Sequence, residues 1–551
     1  MEDNVKRKFK QLNSREDVAN ILEIEDKSLR YFLYCVKPDN MYKNFEINKR
    51  NGGTRIISAP NKKLKNIQRK LLQILENVYT PKICAYGFIN GKSIYDNASI
   101  HLKRRQILNL DLKDYFLQIN FGRVRGMLLK KPYELGEEAA TVIAQIVCYK
   151  GKLPQGAPTS PIIANMICAP MDNHFMKLAK ANNMKYTRYA DDLTFSTRTE
   201  FPTSIVRIEN DTVVVGKKIL QILKKDGFLL NEEKIYLRSK DKRQEVTGLV
   251  VNKKVNVRRE YVRELRAILH NYKNMGAEDA IKLYVKKKKS TNISAVNIDT
   301  LSDKKRQETI NQFNEILKGK INFIKDIRGE DDLIYIKYAN ELNRICNKEI
   351  FNLDKQKAFM EKLKNSIFIL QSRYTCVQGT GFLLKGIGLI TNYHVTEDDD
   401  FYDVCMCNKN KIAVISNKLN LIKRSKRIDY ASYKILDAKE DQFLDCGDSS
   451  NLQIGSELKM ISYPEYNDED TPNIQTIEIT GSREYMKNKI ITISGRVIHG
   501  SSGGVILDQK HKVVGVVNCG PVSLEETDDT IIQGFIREYP KVCVNLQTDV
   551  R

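Results

Sequence analysis

KYTRYADDLTFST (185–197) reads as two short strands joined by a tight turn that carries adjacent acids, Asp191 and Asp192. A lone Asp-Asp pair is usually a solvated turn. Here Tyr189-Ala190 precede the pair and Leu193-Thr194-Phe195 follow it, so the acids sit in a buried hairpin and need a cation. A third acid, Asp111, closes the short apolar strand QILNLDL (106–112). If the two strands are sheet neighbours, three carboxylates meet at one edge. Two divalent ions about 3.5–4 Å apart clamp the attacking and leaving oxygens in phosphoryl transfer. Mg²⁺ is a hard ion that takes carboxylate oxygen and keeps water, so Asp is the natural ligand type.

Working outward, NFEINKR-NGG-TRIISAP (44–60) places Asn51-Gly52 between two strand-like runs, a hairpin signal. Residues 1–35 read as basic and helical, and 64–79 have apolar residues at helical spacing. The stretch 137–150 reads as a helix stopped at Gly151. In PTSPIIANM, Thr159 or Ser160 suits an N-cap and Pro161 the first turn. Residues 215–228 read as a helix ended by Gly227, and 258 to about 350 as Lys-rich helices. A polar connector, LDKQKAFMEKLKN (353–365), leads to short β-rich runs broken by Gly, Pro and Asp.

The chain has 551 residues, too many for one core. Residues 1–365 carry 70 basic and 43 acidic side chains, a net +27, whereas 366–551 carry 21 and 25, a net −4. So basic a segment implies a polyanionic partner, since neutralising phosphates releases counterions; the C-terminal part implies a different partner. Eleven cysteines lie scattered without a CxxC pair, which fits reduced thiols rather than disulfides or structural zinc. No apolar run approaches the roughly 20 residues that cross a bilayer. A cytoplasmic protein without a membrane partner is expected.

These residues carry a resemblance. Tyr189-Ala190-Asp191-Asp192 resembles the YxDD box of reverse transcriptases, Asp111 in NLDLKDYF their first-aspartate motif, LPQGAPTSP (153–161) their QG box, and GFLLNEEK (227–234) the motif that follows. Asn97-Ala98-Ser99-Ile100-His101 matches the NAxxH signature of the bacterial retron branch, and Val246-Thr247-Gly248 its VTG signature. The resemblance spans roughly 40–345. It implies a right-hand α/β polymerase of fingers, palm and helical thumb, using two Mg²⁺ ions and dNTPs. A structured non-coding RNA would serve as template and primer, copied from a ribose 2′-hydroxyl into branched RNA–DNA. By the same match Asp111, Asp191 and Asp192 hold the metals and Phe116 is the steric gate against ribonucleotides. Arg55 contacts the triphosphate, Gln155 lines the nucleotide pocket and Lys234 assists pyrophosphate departure; the bland alternative for Arg55 and Lys234 is a surface charge. Asn97 and His101 hold RNA or the fold rather than do chemistry. The basic helices at 258–327, with Lys286–Lys289, suit a thumb that grips an A-form duplex.

Downstream of 366 there are only three histidines, His394, His499 and His511. His394 lies in LITNYHV, Asp429 in RIDYASYKI and Ser502 in HGSSGGVILD. Amide hydrolysis needs a nucleophile, a base for its proton and a carboxylate to fix the base's tautomer. Glycines around Ser502 permit a turn whose N–H groups face a developing oxyanion. The pattern resembles trypsin-like serine proteases in the order His, Asp, Ser. It implies an all-β double barrel with His394 as base, Asp429 as its orienter and Ser502 as nucleophile. Gly500 and Ser502 N–H groups would form the oxyanion hole, and Asn518-Cys519-Gly520 the substrate-pairing strand. Ser501 stands where many members have Asp or Asn.

The expected organisation is fingers and palm over 1–250, thumb over 251–350, linker over 351–365 and protease over 366–551. The expected role is a retron reverse transcriptase with a fused protease effector in anti-phage defence. Its partners would be the RNA and its DNA copy, a protein substrate and an accessory effector. Two alternatives stay open: a non-hydrolytic docking domain at 366–551, and a mobile-element or diversity-generating polymerase.

Overall fold

The computed structural model describes residues 2–48, 53–287, 301–372, 377–397, 402–408, 411–414, 419–426, 429–435, 438–450, 452–464, 472–485, 488–495, 497, 500–518 and 542–544. They fall into two compact units, Met1–Phe351 and Asn352–Arg551. Among the described residues no helix is long and apolar enough to cross a membrane.

The first unit is organised by a four-stranded antiparallel sheet in the order Lys185–Tyr189, Asp192–Thr197, Gln106–Asp111, Tyr236–Ser239. Leu108, Leu110, Leu193 and Phe195 are buried in these strands. The 22-residue helix Ser160–Ala181 backs the sheet; its Phe175 meets the rings of Tyr186 and Phe195 at 5.2 and 5.3 Å. Aromatic pairs in tilted or edge-on contact add to plain area burial. Thr159 occupies the N-cap of that helix in αR geometry without a capping side-chain bond, and its hydroxyl is buried without a hydrogen-bond partner. Gly151 is no helix stop: the helix Glu137–Val147 ends earlier, and Gly151, at φ +75°, turns the chain between Tyr149 and Lys152.

Ahead of the sheet come helices Glu2–Lys10, Arg15–Ile21 and Asp26–Tyr34, then an antiparallel ribbon of Tyr42–Asn48 and Thr54–Pro60. The Asn51-Gly52 turn expected to join that ribbon lies outside the described residues. After the sheet come, among the described residues, the helices Arg259–Met275, Ala277–Lys287, Asp303–Arg328 and Leu333–Cys346. Lys286 and Lys287 end the second of these, while Lys288 and Lys289 are outside the described residues.

The two short signatures are one structural unit. Helix Ile94–Ser99, with Asn97, packs on the tiny hairpin Glu245–Val246/Leu249–Val250. The hairpin turns through Thr247 (φ +46°) and Gly248 (φ +82°) while Val246 is fully buried. Positive φ at both central residues suits the right-handed twist of a two-residue hairpin. Thr247 Oγ1 donates to the carbonyl of Ile94 at 3.5 Å, a long contact.

The second unit opens with helix Asp354–Ser366. Much of the stretch expected as a linker is therefore helical: Leu363 is buried and Phe359 and Met360 pack beside it, because these apolar residues recur at helical spacing. Next comes a seven-stranded antiparallel sheet, then a closed six-stranded barrel. Two barrels were expected; among the described residues only the second closes. Ile367, Ile390 and Tyr430 of the sheet and Ile461, Val505 and Val516 of the barrel share one core with Leu363.

Two candidate active sites

In the first unit, strand register brings the predicted acids together. Asp111 lies directly opposite Asp192, and Leu112 N–H donates to the carbonyl of Asp191 at 3.0 Å. The turn between Tyr189 and Asp192 passes through Ala190 at φ +56°. Asp192 is partly exposed, yet the protein crowded around its carboxyl, with Asp191 and Asp111 beside it, pushes that group up to about 7. Burial, then Asp111, also raises Asp191, and Lys234 and Arg55 oppose the rise. Asp111 is otherwise engaged: Asn231 Nδ2 donates to Oδ1 at 3.1 Å and Lys234 Nζ to Oδ2 at 2.9 Å. Burial lowers the Lys234 ammonium, but the hydrogen bond and charge of Asp111 outweigh it and leave it raised. With Asp111 turned onto Lys234, no group of three or more His, Cys, Asp or Glu side chains among the described residues closes to metal-binding distance. Three hard oxygen donors, Asp111 and Asp192 on neighbouring strands and Asp191 in the turn, two of them held away from easy ionisation, fit a divalent cation in type.

Asp111 and Asp191 line a cleft of about 2010 Å³, together with Arg55, Phe116, Gln155 and Lys234. The two strand-ribbon and QG-loop segments are tied there: Ser58 N–H donates to the Gln155 carbonyl at 2.7 Å, and a Cβ on Gly156 would strike Ile57 and Ser58. Phe116 sits 6.4 Å from the ring of Phe88 and 5.1 Å from that of Tyr115.

Asn97 and His101 stand apart from the cleft lining. Both are buried, so neither side chain meets a nucleic acid in this conformation. His101 instead bridges the two strands of the acidic hairpin, at 2.7 Å to Ser196 Oγ from Nδ1 and 2.7 Å to Thr187 Oγ1 from Nε2. Burial, helped by the charges of Arg104 and Lys185, lowers this imidazole to about 3. Asn97 leaves both amide atoms buried without a hydrogen-bond partner.

Sequence reading missed a buried ion pair beneath the turn. The Arg188 guanidinium grips Asp172 through Nε at 2.9 Å and Nη2 at 2.7 Å, and neither side chain touches solvent. Its Nη1 donates to Asn165 Oδ1 at 2.9 Å and, at 3.3 Å, to the carbonyl of Ala190. Asn231 was missed too, although it lies three residues before Lys234 in a motif already singled out.

In the second unit, His394 Nδ1 is 2.7 Å from Asp429 Oδ2, and the His394 backbone N–H donates to Oδ1 at 2.9 Å. Asn392 Nδ2 donates to the Asp429 carbonyl at 3.0 Å, and Asp429 sits at φ +51°. The Ser502 loop approaches from the barrel. Thr380 N–H donates to the Ser502 carbonyl at 2.7 Å, and Thr391, three residues before His394, donates to the Thr380 carbonyl at 2.8 Å. Gly503 (φ +78°) runs so close that a Cβ there would lie 1.9 Å from that carbonyl oxygen. Gly500 (φ +82°) and Ser501 are buried. Asn518 follows the strand Val513–Val517, while Cys519, Gly520 and His499 are outside the described residues.

A sheet that sets carboxylates at a large cleft, joined to a β-rich unit with a His–Asp pair and a glycine-flanked serine, defines a polymerase–peptidase fusion. Residues 47–251 match the family model for reverse transcriptase (RNA-dependent DNA polymerase), and 379–516 that for the trypsin-like peptidase domain. The chain is 34% identical to the retron Mx162 reverse transcriptase of Myxococcus xanthus over 290 residues, 48% of this chain and 59% of that protein. It is 31% identical to the retron Ec86 reverse transcriptase of Escherichia coli over 263 residues, 47% of this chain and 78% of that protein. It thus spans less than two thirds of the Mx162 protein. The chain belongs to the retron reverse transcriptase family, with a trypsin-like peptidase domain at its C-terminal side. Among solved structures, the Rv3671c protease from M. tuberculosis in its active form aligns at 15% identity and TM-score 0.27, over 35% of this chain and 81% of that one. The HtrA-type protease AlgW with tripeptide aligns at 17% and 0.27, over 34% and 59%.

Proposed function

We propose that this chain is a retron reverse transcriptase that copies a structured non-coding RNA into branched RNA–DNA, and that its peptidase domain is a serine endopeptidase effector acting in anti-phage defence. The observation that carries the polymerase reading is Asp111 facing Asp192 across one strand pair, with Asp111 and Asp191 in the lining of one large cleft. Asp111, Asp191 and Asp192 would hold two Mg²⁺ ions. When bound, the ions lower the pKa of the attacking ribose hydroxyl and neutralise triphosphate charge. Arg55 reaches the triphosphate from the ribbon, Phe116 excludes a ribose 2′-hydroxyl and Gln155 lines the nucleotide pocket. Lys234 leaves Asp111 to offset charge on the departing pyrophosphate. The Val246-Thr247-Gly248 turn and the Asn97 helix brace the palm, with His101 holding the acidic hairpin.

In the peptidase, Asp429 fixes His394 with its proton on Nδ1, which leaves Nε2 to take the Ser502 proton. The N–H groups of Gly500 and Ser502 face the oxyanion. The charge split along the chain supports two partners, a polyanion for the first unit and a protein substrate for the second. In this reading the bound RNA–DNA restrains the peptidase, and phage damage to that nucleic acid releases it. Sequencing the nucleic acid that copurifies with the protein tests the first half: branched RNA–DNA is expected, absent in Asp192→Asn, and unbranched host RNA alone overturns it. Phage challenge tests the second: Ser502→Ala should lose protection, and full protection removes proteolysis from the mechanism.

A further inference from the structure

The nucleophile loop belongs to the barrel, yet its tightest polar restraints come from one residue of the seven-stranded sheet. Thr380, fully buried on strand Gln378–Leu384, spends every polar atom on the ground around Ser502. Its N–H donates to the Ser502 carbonyl at 2.7 Å and its Oγ1 donates to the Gly500 carbonyl at 2.7 Å. The same Oγ1 accepts from Tyr463 N–H at 3.0 Å, so the hydroxyl proton is committed to Gly500. Its carbonyl accepts from Thr391 Oγ1 at 2.8 Å and lies against Gly503.

A carbonyl and the following N–H belong to one planar peptide group, so a hydrogen bond on the oxygen restrains the tilt of the plane. Thr380 therefore pins the 500–501 and 502–503 peptides. Between them lies the 501–502 peptide, whose carbonyl accepts from Gly504 N–H at 3.0 Å and whose N–H is one of the two oxyanion donors. We propose that Thr380 is a positioning residue of the peptidase site: its hydroxyl and N–H lock the peptides on either side of the donor, so that the Ser502 N–H is preset for the oxyanion. This rests on the serine-peptidase reading. It makes catalysis conditional on the sheet and the barrel being seated together, since Thr380 comes from one and Ser502 from the other.

Thr380→Ser and Thr380→Ala differ by the one hydroxyl, and Thr380→Val keeps the volume without it. Each is made in the full chain and reacted with a fluorescent fluorophosphonate, before and after nuclease treatment, alongside thermal melting. Deleting an oxyanion donor outright costs about 10²–10³ in rate. Misaiming one should slow Ser502 labelling about 10–100-fold in the Ala and Val variants. The Ser variant should stay within about twofold of wild type. Because His394 and Asp429 are untouched, the pH–rate curve keeps its midpoint and only its plateau falls; a general loosening of the site would move both. Wild-type labelling in a folded Ala variant overturns the proposal, as does a Ser variant as slow as Ala. If wild type labels in neither state, the serine-peptidase reading itself fails, an outcome separate from these.

Discussion

His101 provides the sharpest quantitative handle on the palm. Its imidazole bridges Thr187 and Ser196 with no solvent contact, and burial first, then Arg104 and Lys185, holds it at about 3. An unfolded histidine titrates near roughly 6.5. Between those values the unfolded chain binds more protons than the folded one, so stability is complete above about 6.5 and declines as pH falls toward 3. From pH 7.5 to 5 the loss attributable to this one group is about 2 kcal/mol, and across the whole window at most about 5 kcal/mol. Hydrogen exchange of peptide 185–197, corrected for intrinsic rates, reads this directly. Wild type should lose about 30-fold of its protection between pH 7.5 and 5 beyond what His101→Gln loses. The variant starts lower at pH 7.5, by about 1–3 kcal/mol, for disturbed hydrogen bonds. All other titrating groups are common to both proteins and cancel. Parallel pH curves would refute a buried neutral bridge.

Asp172→Asn strips the paired carboxylate from a buried guanidinium and should destabilise the first unit by about 3–5 kcal/mol, read by chemical denaturation; Arg188→Met with Asp172→Leu should recover much of that loss. With Asp192 pushed up to about 7, Mg²⁺ binding near pH 6.5 should release protons, seen by calorimetry in buffers of different ionisation enthalpy, and the release should fall in Asp192→Asn. Asp429→Asn should cut fluorophosphonate labelling of Ser502 by about 10⁴ at neutral pH, since the imidazole loses its fixed tautomer; a loss below tenfold would remove Asp429 from the triad.

What was legible in the sequence was chemistry written in adjacent residues. Asp191-Asp192 in an apolar hairpin, the acid ending 106–112, and the glycines around Ser502 each announce themselves within a few positions. Partners set by long-range folding were silent. Asp172 is 16 residues from Arg188, and Gly500 is 120 from Thr380. No local pattern marks either as a bonding pair. His101 was visible as part of a signature, but its role was not, because only burial decides between gripping RNA and bridging strands. The 354–366 helix was hidden by its lysines, which mask Phe359, Met360 and Leu363 on one face.

The two sites share a physical device that neither motif states. Ala190, just ahead of Asp191, and Asp429 itself both lie in the left-handed region at φ +56° and +51°, where a side chain is disfavoured by about 1–3 kcal/mol. Such a conformation persists only when its surroundings overdetermine it. At Ala190 the restraint is Arg188 on its carbonyl and Gly87, whose missing Cβ would otherwise stand 2.4 Å from the Ala190 nitrogen. At Asp429 it is Asn392 on the carbonyl and two His394 contacts on the carboxylate. In each case the strained residue aims a carboxylate that must act on something outside the hairpin. Relaxing the strain without touching the acid, as Ala190→Gly would do, should therefore raise stability slightly or leave it unchanged while lowering the rate of nucleotide addition.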